Sequence, residues 1–329
     1  MTLIDKLKSA GYEGIAIVGP TASGKTGLSV SLAKMTGSEI ISCDSMQIYK
    51  GMDIGTAKAD ESERGGVVHH MLDICGLDQS YSAADYARDA AMCAENISAR
   101  GMLPIFCGGT GLYLDAVMRG GYSESADTDP IFREELLSYA KEHGNEALHK
   151  KLYDIDPTAA EAIHPNNVKR VIRAIEIAHF TGKTKTETDA EHSEMRGMKI
   201  YAVCLCFQDR ELLYKRIEQR VDMMIEAGLI DELRMLMCDP AFMNNKTAVQ
   251  AIGYKEFFPY IRGEASLDAC TEELKRATRR YAKRQLTWFT NKDYINILYC
   301  DSDGRVKDRD ELLCGLSEMI AQVDVKASR

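Results

Sequence analysis

No stretch of this sequence is apolar for long enough to cross a bilayer, and the lysine-bearing first ten residues lack the apolar run of a signal peptide. The expectation is a soluble cytosolic protein without a membrane partner. None of the ten cysteines forms a C-x-x-C pair, and no Cys/His cluster stands at zinc spacing, so reduced thiols are expected rather than a metal module. Repeats and low-complexity tracts are absent as well. Positive charge is in deficit: the net charge of −9 argues against a protein that coats nucleic acid indiscriminately, yet allows a local basic groove. What is present is 329 residues with 45% apolar content, enough for one large domain or a core plus a smaller unit.

The segment from Ile15 to Ile41 organises the chain. An apolar run, Ile15-Ala16-Ile17-Val18, leads into Gly19-Pro20-Thr21-Ala22-Ser23-Gly24-Lys25-Thr26, then a helix-period segment, then Ile40-Ile41. The eight residues fit G-x-x-x-x-G-K-T with a strand before and a helix after, which is a P-loop. Its backbone N–H groups converge on one concavity at a helix N-terminus. Lys25 supplies a mobile cation there, and Thr26 a hydroxyl for Mg²⁺. Such a loop holds a di- or triphosphate.

Further short buried strands are expected at Glu39 to Cys43, His69 to Ile74, Pro104 to Cys107, Lys199 to Phe207 and Tyr294 to Tyr299. Ligands of open α/β sheets sit at the carboxyl ends of strands, which places Asp44 and the Gly108-Gly109-Thr110-Gly111 turn beside the phosphate site. Ser82-x-x-Asp85 reads as a capping box, opening a helix of about 18 residues. From about Gly120 strands disappear. Asp129-Pro130 and Asp156-Pro157 mark helix starts, and Asn166 or Asn167 caps a third helix ending at Gly182, in which Val168, Val171, Ile172 and Ile175 share one face. A long helix is expected from Arg210 to Met237 and a terminal one from Glu311 to Val323. The fold class is therefore α/β, a P-loop NTPase-like core with a mostly parallel sheet and a helical insertion. Residues 1–119 form the first part of the core, 120–197 the insertion, and 198–329 the rest.

Asp44 admits two roles, a turn cap or water-mediated Mg²⁺ holder, and a general base for a nucleophile brought to the phosphate site. Thr110 either closes its turn or hydrogen-bonds the reacting group. His69 and His70 read as structural. Lys275, Arg276, Arg279, Arg280, Lys283 and Arg284 carry no acid among them and run into Gln285 and the single tryptophan, Trp288. Such a segment reads either as a solvated helix face balanced by neighbouring acids or, since the charge is locally unbalanced in an acidic protein, as a site for a phosphate or an RNA backbone, the favoured reading.

Four segments resemble the signatures of the tRNA dimethylallyltransferase (tRNA isopentenyltransferase) family: residues 19 to 26, Ile41 to Lys58, Gly108 to Tyr113, and Ala251 to Glu256. The resemblance runs in order from about Gly14 to Phe289. It implies transfer of a dimethylallyl group from dimethylallyl diphosphate to N6 of the adenosine 3′ of the anticodon, in tRNAs reading codons that begin with U. By that resemblance Asp44 takes the proton of the exocyclic amine and Thr110 positions the amine. Ser45, Met46 and Gln47 line the adenine pocket, Arg220 stands near the diphosphate, and the P-loop with Mg²⁺ stabilises the leaving group. The insertion would grip the anticodon arm, with Arg133, Lys169, Arg170 and Arg173 as candidate contacts. Without a C-terminal zinc module of the eukaryotic kind, a bacterial-type, monomeric enzyme is expected.

Competing readings are an adenylate isopentenyltransferase, which would not need the 120–197 insertion, a small-molecule P-loop kinase, and a non-catalytic RNA-binding module that kept a phosphate pocket.

Overall fold

The structure, a computed structural model, describes residues 2–120, 129–193 and 197–323. Six strands, β1 (Gly14–Val18), β2 (Ile40–Cys43), β3 (His69–His70), β4 (Ile105–Gly108), β5 (Ile200–Cys206) and β6 (Ile295–Tyr299), form one sheet. Their order is β3-β2-β4-β1-β5-β6, and every pair is parallel. Residues in β1, β2 and β5 are buried throughout, as strands covered on both faces must be, which is why they read as continuous apolar runs. The edges are a two-residue strand and the half-exposed β6, a form that discourages pairing with a second sheet.

The described residues divide into two compact units, one within Met1–Tyr81, Arg88–Met118 and Met198–Arg329, the other within Ser82–Ala87 and Arg119–Gly197. In the first, Ile15, Ile17, Val203 and Leu205 of the sheet pack with Leu28 and Leu32 from the helix Lys25–Thr36. Leu213 and Ile217 from Arg210–Glu226, and Leu312, Leu316 and Ile320 from Arg309–Ala321, complete that core. Among the described residues no helix is long and apolar enough to cross a membrane, and all ten cysteines are free thiols.

Register decides where the chemistry goes. Val18 of β1 and Cys43 of β2 both stand level with Gly108 of β4, so the P-loop, the Asp44 turn and the Gly109–Thr110 turn leave the sheet side by side. Neighbouring backbone is so close at Gly108 that a Cβ there would lie 2.0 Å from the Cys43 carbonyl oxygen. Only glycine fits.

Several expected elements change. The strand read over His69 to Ile74 stops at His70, because Met71 and Asp73 adopt left-handed conformations (φ 63° and 55°) and Asp73 turns its carboxylate to Lys58. The long helix from Arg210 breaks at Gly228 (φ 98°) into Arg210–Glu226 and Leu229–Met237. The second unit carries five helices over its described residues rather than the three starts expected: Pro130–His143, Asn145–Ile155, Pro157–Ala162, Val168–Thr181 and Lys185–Ser193. The start at Asn145 has no side-chain cap and so left no signal. The start at Lys185 did leave one, a reciprocal pair in which the Thr184 N–H donates to Glu187 and the Glu187 N–H to Thr184 Oγ1.

Leu136, Leu148, Leu152, Val171, Ile172 and Ile175 form the core of this unit. Within it, the fully buried Glu176 accepts two charge-assisted bonds from Arg133, at 2.7 and 2.6 Å, and Arg173 stands 3.6 Å away. Arg133 is thereby committed to its own unit. Replacing it by alanine leaves a buried carboxylate with only Arg173 beside it. The expected cost is about 2 kcal/mol, below the 3–5 of a wholly buried pair because water screens the Arg133 side. Urea denaturation of Arg133→Ala would read this as a lower midpoint at unchanged slope; an unchanged midpoint would remove the ion pair from the account.

Candidate functional site

A cavity of about 290 Å³ opens at the carboxyl ends of the strands, all of it within the first unit. On one side stand Thr21, Lys25 and Thr26 of the P-loop. Asp44 to Gln47 follow from the end of β2, Gly108 and Gly109 from the end of β4, and Arg220 from the helix Arg210–Glu226. An apolar stretch of wall comes from Ile217, Val221 and Met224 on successive turns of that helix together with Leu274 and Ile252, and polar side chains, Thr247, Gln250 and Thr278 among them, line the rest.

Lys25 Nζ donates to the Pro20 carbonyl at 2.6 Å. Protein surrounds most of the side chain, so burial pulls the ammonium from its usual range down to about 8, with Arg220 adding like-charge repulsion and Cys107 and Asp44 opposing. Burial likewise pushes the Arg220 guanidinium down. Arg220 reaches Thr21 Oγ1 at 3.3 Å and the Ala57 carbonyl at 3.4 Å, while Arg216, one turn earlier, donates to the Ala22 carbonyl at 2.7 Å. Two cations desolvated side by side with so little compensation form a site built for an anion.

A second cavity, of about 480 Å³, lies on the other flank of the P-loop and shares Lys25, Thr26 and Arg220 with the first. Lys307 and Arg309 line it, from a tail in which the sequence showed no motif. So does Ser23, whose hydroxyl is buried without a hydrogen-bond partner.

Asp44 is held by its own turn, where Oδ1 accepts from the Met46 N–H at 2.9 Å. Thr110 joins the two turns. Its N–H donates to the Cys43 carbonyl at 3.1 Å, and its hydroxyl accepts from the Ser45 N–H at 3.0 Å and approaches the Ser45 hydroxyl at 3.3 Å. Thr110 thus sits against the Asp44 turn with its hydroxyl ordered. Gln47 turns its amide NH₂ to the Thr56 and Ala57 carbonyls at 3.2 and 3.3 Å.

Two residues escaped the sequence reading. Gln285 accepts from the Thr21 N–H and donates to the Gly109 carbonyl, both at 3.0 Å, tying the P-loop to the β4 turn. Tyr281 faces the cavity one helical turn earlier, its phenol hydrogen-bonded to Thr110 and pushed up by burial with the Asp44 charge adding to it. Both lie on the helix Leu267–Thr290, at i and i+4, between basic residues that drew the eye instead.

That basic run looks different in three dimensions. Lys275 pairs with Asp222 and Glu272, Arg279 with Glu218, and Arg276 and Arg280 both with Glu273, so acids on a neighbouring helix and one turn back neutralise what seemed unbalanced. Lys283 and Arg284 remain exposed, with Arg284 over the Tyr281 ring. Trp288 packs on Gly111 inside the fold. In the helical unit Lys169 and Arg170 are exposed on the helix Val168–Thr181, whereas Arg133 and Arg173 face Glu176.

Among the described residues no cluster of three His, Cys, Asp or Glu side chains offers a metal cage. Thr26 and Asp44, both on the cavity, supply hard oxygens of the kind that Mg²⁺ accepts when a bound phosphate completes its shell, so these residues fit a phosphate-linked Mg²⁺.

A family model described as IPP transferase matches residues 47–292. A protein from Bacillus pumilus (strain SAFR-032) named tRNA dimethylallyltransferase is 50% identical over 278 residues, 84% of this chain and 86% of that protein. One of the same name from Halalkalibacterium halodurans is 46% identical over 308 residues, 92% and 97% of the two chains. Among solved structures, the full-length tRNA isopentenylpyrophosphate transferase from Bacillus halodurans superposes with a TM-score of 0.66 at 43% identity, covering 94% of this chain and 95% of that one. A eukaryotic dimethylallyltransferase acting on tRNA gives a TM-score of 0.77 at 29% identity, over 96% and 81%. With most of the chain matched in each comparison, the chain is a member of the IPP transferase family.

Proposed function

We propose that this chain transfers a dimethylallyl group from dimethylallyl diphosphate to N6 of the adenosine 3′ of the anticodon, in tRNAs reading codons that begin with U. The observation that carries the reading is one cavity with three kinds of wall. Desolvated Lys25 and Arg220 suit a diphosphate, the Ile217, Val221, Met224 and Leu274 surface suits a branched five-carbon chain, and Asp44, its turn braced by Thr110, suits an amine that must lose a proton. The relatives' names and the solved structure of a homologue acting on tRNA support the acceptor.

In the reaction the allylic C–O bond breaks, its electron pair leaves with the diphosphate, and the N6 lone pair forms the new C–N bond while the N6 proton passes to Asp44. The P-loop N–H groups, Lys25 and Arg220 stabilise charge that grows on the leaving oxygen. Mg²⁺, held by Thr26 and the diphosphate itself, would add charge neutralisation there. Thr110 fixes the acceptor beside Asp44, and Ser45, Met46 and Gln47 wall the base. An anticodon loop presents its adenosine unpaired, so extruding it into the cavity costs only a few kcal/mol. Lys169 and Arg170, exposed in the helical unit, are suited to the RNA backbone. One chain carries the donor site and the RNA-binding residues, which supports a monomer, and a tRNA acceptor supports a cytoplasmic enzyme.

The test is incubation with dimethylallyl diphosphate, Mg²⁺ and either an unmodified anticodon stem-loop or AMP, with products weighed by mass spectrometry. An adduct on the stem-loop alone is expected; an adduct on AMP alone would move the chain to the nucleotide-modifying branch, and transfer of phosphate from ATP would make it a kinase. Asp44→Asn should lower turnover by on the order of 10²–10⁴-fold with stem-loop affinity unchanged, and undiminished turnover would remove the base.

Lys25 gives a pH signature. In the protein alone its pKa lies at about 8, and a bound diphosphate raises it, so donor binding takes up a proton in the window above pH 8. The apparent Kd for dimethylallyl diphosphate should rise by up to about tenfold per pH unit there. Calorimetry in two buffers of different ionisation enthalpy reads the proton uptake directly, and Lys25→Met should abolish it. A Kd flat from pH 7 to 10 would contradict the assignment.

A further inference from the structure

Glu232 lies outside the cavity lining, on the helix Leu229–Met237, with 6% of its surface exposed. Its carboxylate accepts from three consecutive backbone N–H groups, those of Asp53 (3.1 Å), Ile54 (2.8 Å) and Gly55 (2.9 Å), and from the Tyr254 hydroxyl at 2.8 Å. Four bonds fill the acceptor capacity of a carboxylate. The segment it holds has neither helix nor strand, yet Met52, Gly55 and Lys58 within it are buried. A buried irregular loop must find partners for its N–H groups, and this loop places three of them on one side chain.

Immediately beyond that anchor, the Thr56 and Ala57 carbonyls take both amide hydrogens of Gln47, and those two residues with Gly55 form cavity wall. Tyr254 stands so close under Gly55 that a Cβ there would lie 2.2 Å from its ring, and the adjoining Gln250 to Gly253 are cavity wall as well. One carboxylate therefore fixes two loops that line the cavity. We infer that Glu232 is a positioning residue for the acceptor: it sets the loop whose carbonyls aim the Gln47 amide, and so acts on recognition of the purine rather than on the donor. Arg220 touches the same loop only at 3.4 Å, near the limit of a hydrogen bond, and keeps Thr21 as a second partner, which leaves the donor side largely independent. The inference rests on the prenyl-transfer reading and on Gln47 walling the base.

The experiment is steady-state kinetics of full-length wild type, Glu232→Gln, Gln47→Ala and the double variant, varying the anticodon stem-loop and dimethylallyl diphosphate separately. Glu232→Gln keeps the size but turns an NH₂ toward N–H donors. The expected result is a rise of about tenfold or more in KM for the stem-loop, with KM for the donor within about twofold, a similar rise for Gln47→Ala, and a double variant no worse than the poorer single one. Equal changes in both Michaelis constants, no change in the stem-loop KM, or effects that multiply in the double variant would overturn the proposal. If Glu232→Gln does not fold, Tyr254→Phe replaces it, with a rise of about threefold expected in the stem-loop KM alone; an unchanged stem-loop KM in that variant would also overturn it. Wild type that prenylates no acceptor would instead sink the functional reading.

Discussion

The close approach of two backbones at the top of β4 underlies the active side of this protein. Gly108 lies level with Cys43 of β2 and Val18 of β1, and no side chain fits between Gly108 and the Cys43 carbonyl. With those ends level, three loops depart within hydrogen-bonding reach of one another. Thr110 can then bond both the Cys43 carbonyl and the Ser45 N–H. Gln285 can likewise span from Thr21 to Gly109. A residue with a Cβ at position 108 would push the β2 and β4 ends apart, and each of these bonds would lengthen together. The candidate site is thus held in place by the sheet, as preorganised sites require.

Electrostatics divides the molecule on a finer scale than its net charge. Most of the long basic helix is neutralised by Asp222, Glu218, Glu272 and Glu273, and Arg133 by Glu176, so those cations hold the fold rather than a ligand. Around the P-loop the pattern reverses. Lys25 and Arg220 are crowded and desolvated, with backbone and hydroxyl oxygens in place of carboxylate ion pairs. Placing cations in that state raises their free energy, and a diphosphate restores it on binding.

Much of this was legible in the sequence, for identifiable reasons. A P-loop is a local object, set by eight neighbouring residues, and continuous apolar runs announce fully covered strands, so the sheet and its phosphate site could be read directly. That the Asp44 and Thr110 turns would stand beside the P-loop followed from the rule that ligands sit at strand ends. What stayed hidden was long-range pairing. Gln285 meets Thr21 across 264 residues, and Glu232 meets Gly55 across 177, with no periodicity or spacing to mark either. The charge of the basic helix misled for the same reason, because part of its compensation comes from another helix. The helix start at Asn145 lacks a capping side chain, so no local chemistry declares it.

A P-loop usually implies that phosphate is the group transferred, and the cavity shows why that need not hold here. Phosphoryl transfer requires the acceptor to meet the terminal phosphorus, with the rest of the donor gripped beyond it. In this chain Asp44 shares the P-loop's cavity with Ile217, Val221, Met224 and Leu274, a wall suited to an apolar group on the diphosphate. In the proposed reaction an acceptor at Asp44 would meet the apolar group that the diphosphate carries. The same N–H groups and cations that would steady a migrating phosphoryl group instead steady one that stays behind, and the bond that breaks lies on the carbon side of the bridging oxygen. The reaction class then depends less on the phosphate grip than on which atom the base can reach.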